Sequence, residues 1–105
     1  MIRVKFLIGN KQLTGFEIKG HAMFAESGSD VVCAAVSSAA FMAANTVTEI
    51  IGTNASISLN DGYMKFLPEK TTDEIQLLFK GMALHFNALA EQYDNKYLCC
   101  KEKTV

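Results

Sequence analysis

A cysteine and a histidine, the types that serve as nucleophile and base in thiol chemistry, stand within one short stretch of this chain. Cys33 lies in the run Asp30-Val31-Val32-Cys33-Ala34-Ala35, and His21 lies upstream in Gly20-His21-Ala22. Ser29 or Asp30 can cap the Ala-rich segment that follows, and with Asp30 as the cap Cys33 falls at the third position of a helix. Free backbone N–H groups and the helix dipole favour negative charge there. That favours the thiolate, the nucleophilic form of cysteine. The same N–H groups suit the oxyanion that forms when a thiolate attacks a carbonyl. Imidazole is the usual base for a thiol, and the loop between His21 and Cys33 is long enough to fold back. Each residue also has a plainer reading. Cys33 fits as a small buried hydrophobe, and His21 as a surface loop residue.

Two neighbours belong to the same constellation. Asp30 serves as a helix cap, and its carboxylate is also of the type that orients an imidazole. Ser37 lies four residues beyond Cys33, on the same helical face, where it suits a hydrogen bond near the site or simple packing. His85 has a weaker claim, because it sits inside an amphipathic helical pattern. No metal is expected: His21, Cys33, His85, Cys99 and Cys100 lack the paired short spacings of zinc sites. No phosphate-binding glycine loop is present, and no cofactor is implied.

The elements that must position these groups follow from periodicity. Ile2, Val4, Phe6 and Ile8 alternate with Arg3, Lys5 and Leu7, which predicts a strand. Gly9-Asn10 marks a turn, and Phe16 and Ile18 give a second strand ending near Gly20. Residues 21–30 read as a loop with Gly20 and Gly28 as hinges. Residues 31–51 lack Lys and Arg and are rich in Ala, Val, Ser and Met. This predicts a central helix that Gly52 ends. Being apolar nearly all round, it is expected to be buried on most sides.

Ala55, Ile57 and Leu59 predict a third strand, Asp61-Gly62 a tight turn, and Tyr63 to Leu67 the return strand, closed by Pro68. Thr71 and Glu74 fit a capping box. Ile75, Leu78, Phe79, Met82, Phe86, Leu89 and Tyr93 then recur at helical spacing. Tyr97 to Glu102 predicts a last strand. The order β-β-α-β-β-α-β implies an α+β domain of two layers, with an antiparallel or mixed sheet packed by two main helices.

Composition sets the outer bounds. The chain has 105 residues, 50% hydrophobic and 20% charged. It is read as a single domain, 1–105, with a real core and no disordered character. Ten basic against eleven acidic residues give a net charge of -1. No direct nucleic-acid contact is expected from that balance, although a local basic patch is compatible with it. No apolar run of membrane-spanning length is expected, and the first residues lack a signal-peptide layout. Three cysteines, two of them adjacent, make a disulfide framework improbable on geometric grounds. A reducing, cytoplasmic setting follows as the expectation.

Taken together, Gly20-His21-Ala22, Gly28 and Asp30-Val31-Val32-Cys33-Ala34-Ala35-Val36-Ser37 resemble the ribosomal-processing cysteine protease family, Prp. The resemblance covers the whole chain in length, element order and motif position. It implies a small cytoplasmic, homodimeric cysteine endopeptidase. Such an enzyme removes the short N-terminal extension of the large-subunit ribosomal protein L-twenty-seven. It further implies Cys33 as nucleophile and His21 as base, with Gly20, Asp30 and Ser37 in support and a mobile substrate loop over residues 22–29. Met23 and Phe24 are bulkier than the residues often found there, and they suit a pocket wall or packing on the domain. Closure of that loop on substrate is expected to complete the dyad. The alternatives from the residues alone are a non-catalytic assembly factor that binds a ribosomal protein, and a thiol-redox or acyl-transfer enzyme. The latter lacks a resolving cysteine at CxxC spacing.

Overall fold

The structure is a computed structural model that describes residues 1–20 and 27–105, with the backbone alone over 27–30. Five strands and two long helices alternate in the expected order. They are β1 (Ile2–Gly9), β2 (Gln12–Lys19), α1 (Ser27–Asn45), β3 (Ala55–Asn60), β4 (Tyr63–Pro68), α2 (Asp73–Gln92) and β5 (Leu98–Thr104). One mixed sheet runs β3-β4-β2-β1-β5. Among the described residues β1 and β5 pair in parallel and the other strand pairs are antiparallel. The β1–β2 hairpin turns through Asn10 and Lys11, both at positive φ.

Period two decides what the sheet buries. Phe6 pairs with Phe16, and Phe16 with Phe66, so three rings stand in one row on one face. α2 lays Phe79 over that row, 5.8 Å from Phe16 in an edge-on contact. Phe86 packs on Phe6 at 6.4 Å. All five rings are fully buried. A side-chain amide also ties α2 to β2. Gln76 donates to the Leu13 carbonyl at 2.7 Å and accepts from the Leu13 N–H at 2.8 Å. It satisfies backbone groups just beside the register shift in β1.

The central helix departs from expectation in three ways. It begins at Ser27, so Ser29 and Asp30 lie within it rather than capping it, and Gly28 is helical rather than a hinge. An acidic side chain in the first turn is favoured by the helix dipole, so Asp30 fits inside as well as ahead of the helix. The last turn widens into a π-helical segment, Thr46–Ile51, which ends as expected at Gly52 with φ of 82°.

Third, the helix is not buried all round. Val32, Val36, Ala40, Ala43, Ala44 and Val47 form the buried stripe, while Val31, Phe41 and Met42 are exposed. A flat sheet can cover only one stripe of a helix. The expectation about membrane-length runs is corrected too. Val31–Ile51 spans 21 residues at mean hydropathy 1.6, enough by length and composition to cross a membrane. Here about a third of that stretch is buried, along the Val32–Val47 stripe.

The cap of α2 also moves by one residue. Thr72, not Thr71, accepts from the Ile75 N–H, at 3.2 Å. Thr71 instead donates to the Gln12 side chain at 2.7 Å. Thr72→Ala is therefore expected to cost about 1 kcal/mol and to lower Tm by roughly 4–8 °C. Thr71→Ala should shift it far less, as thermal unfolding of the two variants would show.

The second face of the sheet carries no helix among the described residues. Its rows hold Arg3, Lys5, Glu17, Lys19, Tyr63 and Lys65. Glu17 accepts from the Tyr63 hydroxyl at 2.8 Å and lies 3.6 Å from Lys19. Burial pushes the Glu17 carboxyl up, but the Tyr63 hydroxyl and Lys19, Lys65 and Lys5 together outweigh it and hold the group below the usual range. A depressed carboxyl stabilises the fold above its unfolded pKa, and that contribution is lost as pH falls through the folded one. Glu17→Gln should therefore flatten the acid limb of a stability–pH curve and leave the limb above neutrality unchanged.

Candidate active site

Three elements meet at one end of the sheet around Cys33. The thiol is half-buried on α1 and packs on the rim of the core. It opens onto a cavity of about 310 Å³. α1 contributes Cys33, Val36, Ser37, Ala40 and Phe41 to its wall. The sheet contributes Ile2, Ile18 and Gly20, and the β3–β4 turn contributes Leu59 to Met64. The walls are largely aliphatic, and Asn60, Asp61 and Tyr63 bring polar groups from the turn side.

Gly20 is where sequence and geometry meet most closely. Its φ is +88°, and a Cβ there would stand 2.5 Å from the Met1 carbonyl oxygen. Its N–H donates to the Gly62 carbonyl at 2.9 Å, fastening the end of β2 to the β3–β4 turn. The peptide that leads to His21 thus departs from the rim of the Cys33 cavity. Gly20→Ala meets both a strained backbone and a contact with main chain that cannot swing aside. It should lower both stability and turnover, read by thermal unfolding and cleavage rate.

The remaining expected site residues divide plainly. Cys33, Ser37 and Gly20 line one cavity. His21, Met23 and Phe24 lie outside the described residues, as do residues 22–26 of the loop to which closure was assigned; residues 27–29, expected to belong to that loop, are instead the first residues of α1. The side chain of Asp30 is likewise not described, and with it any contact to His21. His85 is exposed on α2 against Phe86, in agreement with its reading as a helix-surface residue.

The position of Cys33 in its helix requires a correction. With α1 starting at Ser27, Cys33 is the seventh helical residue, not the third. It lies about 9 Å along the axis from the first residue. The free N–H groups belong to the first turn, and the dipole's influence falls off within it. An oxyanion at Cys33 therefore is not held by unpaired amides at the cysteine's own helical position.

The cavity also contains residues that the sequence reading passed over: Ile2, Ile18, Phe41 and Leu59 as walls, and Asn60, Asp61 and Tyr63 at the rim. Asp61-Gly62 was legible as a turn. Its place beside Gly20 was not, because that depends on β2 pairing with β4 across the sequence of α1. The other two cysteines sit on β5, the strand beyond β1. Burial, then Cys99, then Glu102 push the Cys100 thiol up to about 11, which leaves it a protonated and poor nucleophile at neutral pH. All three cysteines are free. Among the described residues, no cluster of three potential metal ligands exists.

Comparison with known proteins bears on this geometry directly. The family model for cysteine protease Prp matches residues 1–98. The ribosomal processing cysteine protease Prp of Bacillus subtilis is 35% identical over 91 residues, covering 80% of this chain and 81% of that protein. A crystal structure of the Staphylococcus aureus ribosomal processing protease Prp with a substrate peptide superposes with a TM-score of 0.88 at 26% identity. It covers 98% of this chain and all of that one. A second S. aureus structure, with a covalently linked product peptide, gives 0.85 at 27% identity over the same spans. The likeness in fold extends along the chain, through the helix that carries Cys33. The chain belongs to the cysteine protease Prp family, the ribosomal processing proteases, and is a cysteine protease.

Proposed function

We propose that this protein removes the short N-terminal extension of ribosomal protein L-twenty-seven, with Cys33 as nucleophile and His21 as general base. The observation that carries the reading is the cavity beside Cys33. It is the place where a thiol of the chain opens onto a largely aliphatic, peptide-sized hollow with polar groups on its rim. That relatives of the same fold hold a substrate peptide and a covalently linked product peptide supports a covalent route.

In this mechanism His21 takes the Cys33 proton and the thiolate attacks the scissile carbonyl. His21 then protonates the leaving amine, and water resolves the thioester. Gly20 sets where the chain to His21 departs. Ser37, one turn beyond the thiol on the cavity wall, and Asp30, in the first turn of α1, support the site. The extension binds in extended form, with an apolar side chain seated between Ile18, Phe41 and Leu59.

The test is direct. The purified protein is incubated with a peptide carrying the candidate extension, and cleavage is followed by mass. A single cut that releases the extension supports the reading, and an intact peptide defeats it. Leu59 is half exposed on an edge strand, so its replacement should leave the fold intact. Leu59→Ser is expected to lower kcat/KM about tenfold, the scale of a lost apolar contact. The loss should fall mainly on KM, as steady-state kinetics would show.

Two further properties belong to the same proposal. The protein acts as a homodimer, a reading supported by apolar side chains exposed on the helices, including Met42, Leu77 and Leu84. Sedimentation velocity would show twice the monomer mass. Its setting is cytoplasmic, which the three free cysteines favour.

A further inference from the structure

The face of the sheet opposite the helices is strongly asymmetric in charge. Register places Arg3 beside Lys19 and Cys99, and Lys5 beside Glu17 and Lys101. Glu17 in turn faces Lys65, and Leu7 faces Lys103. Arg3, Lys5, Lys19, Lys65, Lys101 and Lys103 thus share one face, six of the ten basic residues in the chain. A single carboxylate, Glu17, interrupts the same rows, and it is engaged by Tyr63 and Lys19. Arg3, Lys19, Lys101 and Lys103 are exposed, and Lys5 and Lys65 are half-exposed. The balanced net charge of the chain averages over this face and the acidic remainder.

From this we infer that this sheet face, which carries no helix among the described residues, is a docking surface for the phosphate backbone of RNA. Lys65, on β4, and Lys101, on β5, are three strand spacings apart, about 14 Å. Successive rows lie about 7 Å apart along the strands. The cations therefore form a flat two-dimensional array, which suits a polyanion that presents charge at regular intervals.

The composition favours RNA over a protein partner or a membrane surface. Protein interfaces are depleted in Lys and built around apolar or aromatic anchors, and the one aromatic ring in these rows, Tyr63, is half-buried and donates its hydroxyl to Glu17. A membrane surface would call for exposed apolar side chains among the cations, and the large exposed hydrophobics among the described residues are not in these rows. Lysines are point charges that meet phosphates without reading bases, so the contact is independent of sequence. The inference does not rest on the proposed cleavage reaction; it adds a means of holding the enzyme to an RNA-rich particle.

The test measures fluorescence anisotropy of a labelled single-stranded oligouridine at several salt concentrations. Binding should weaken with a log–log slope of about -3 to -4, as expected for roughly five phosphate contacts. The combined change Lys5→Glu, Lys65→Glu and Lys101→Glu should weaken binding at least tenfold. Lys70→Glu with Lys80→Glu, off this face, should change it less than twofold. Thermal unfolding checks the fold, and the milder Lys5→Gln, Lys65→Gln, Lys101→Gln combination carries the test if the Glu variant unfolds. No binding at 50 mM salt would overturn the inference, as would binding that the face variants leave unchanged. Equal binding to polyglutamate or to phosphatidylglycerol vesicles would overturn it in favour of a generic anion surface.

Discussion

Cys33→Ala should abolish cleavage of the extension peptide, a fall of roughly ten-thousand-fold or more in initial rate, the scale seen when a catalytic nucleophile is removed. The expectation is specific to this thiol. Cys33 lies on the wall of the one hollow that α1, the end of β2 and the β3–β4 turn form together. Cys99 and Cys100 are on β5, and burial keeps the Cys100 thiol protonated, at about 11. Cys99→Ala and Cys100→Ala should therefore keep cleavage within about threefold, a margin set by ordinary surface and rim effects. Cys33→Ser should fail nearly as completely as Cys33→Ala, because a hydroxyl at the same point is a far weaker nucleophile than a thiolate. The half-buried position makes the Ala change mild for the fold, so the lost rate is read against an unchanged unfolding curve. Retained binding of the peptide by Cys33→Ala would mark the loss as chemical; cleavage that persists would show that the Cys33 thiol is not the nucleophile.

Phe16→Ala should destabilise the domain by about 3–5 kcal/mol, the usual cost of deleting a buried aromatic side chain. Phe16 is fully buried and sits at the centre of the core. Its ring lies 5.4 Å from Phe66, 5.8 Å from Phe79 and 6.2 Å from Phe6. Strands β1, β2 and β4 and helix α2 all lose a partner at once, so the surroundings cannot collapse into the gap without moving the sheet. A single domain is stable by only about 5–15 kcal/mol, so the loss is a large fraction of the whole. At roughly 4 °C or more per kcal/mol, Tm should fall by at least about 12 °C. Phe16→Leu fills most of the volume and should cost clearly less. Cleavage at low temperature should survive in both variants, because Phe16 lies outside the cavity wall.

Much of the fold was legible because short-range patterns and long-range packing agree here. Ile2, Val4 and Phe6 alternate because one face of β1 meets the helices. Ile75, Phe79, Met82 and Phe86 recur because α2 meets the same core. The legible parts of the site were those fixed by local chemistry: Cys33 and Ser37 one turn apart, and Gly20 at a backbone angle that favours glycine. Three things were hidden for physical reasons. The start of α1 was misplaced because Ser27, Ser29 and Asp30 are all acceptable near a helix start, and only tertiary packing chooses among them. The cap of α2 was misplaced because Thr71 and Thr72 offer the same hydroxyl, and contact with Gln12 takes the first. The cavity wall was invisible because Leu59 and Asp61 reach Gly20 only through the pairing of β2 with β4. The basic face was hidden in the same way, since cross-strand register brings Lys65, Lys5 and Lys101 into one row.

The central claim is that the Cys33 thiol attacks the peptide bound in its cavity. The extension peptide, synthesised with a chloromethyl ketone at its cleaved end, tests this most directly. After incubation, the intact mass is measured and the adduct located by digestion. The account predicts one peptide per chain, attached to Cys33 and suppressed by excess unmodified substrate peptide. A label on Cys99 or Cys100, or no label while the substrate is still cut, would contradict it.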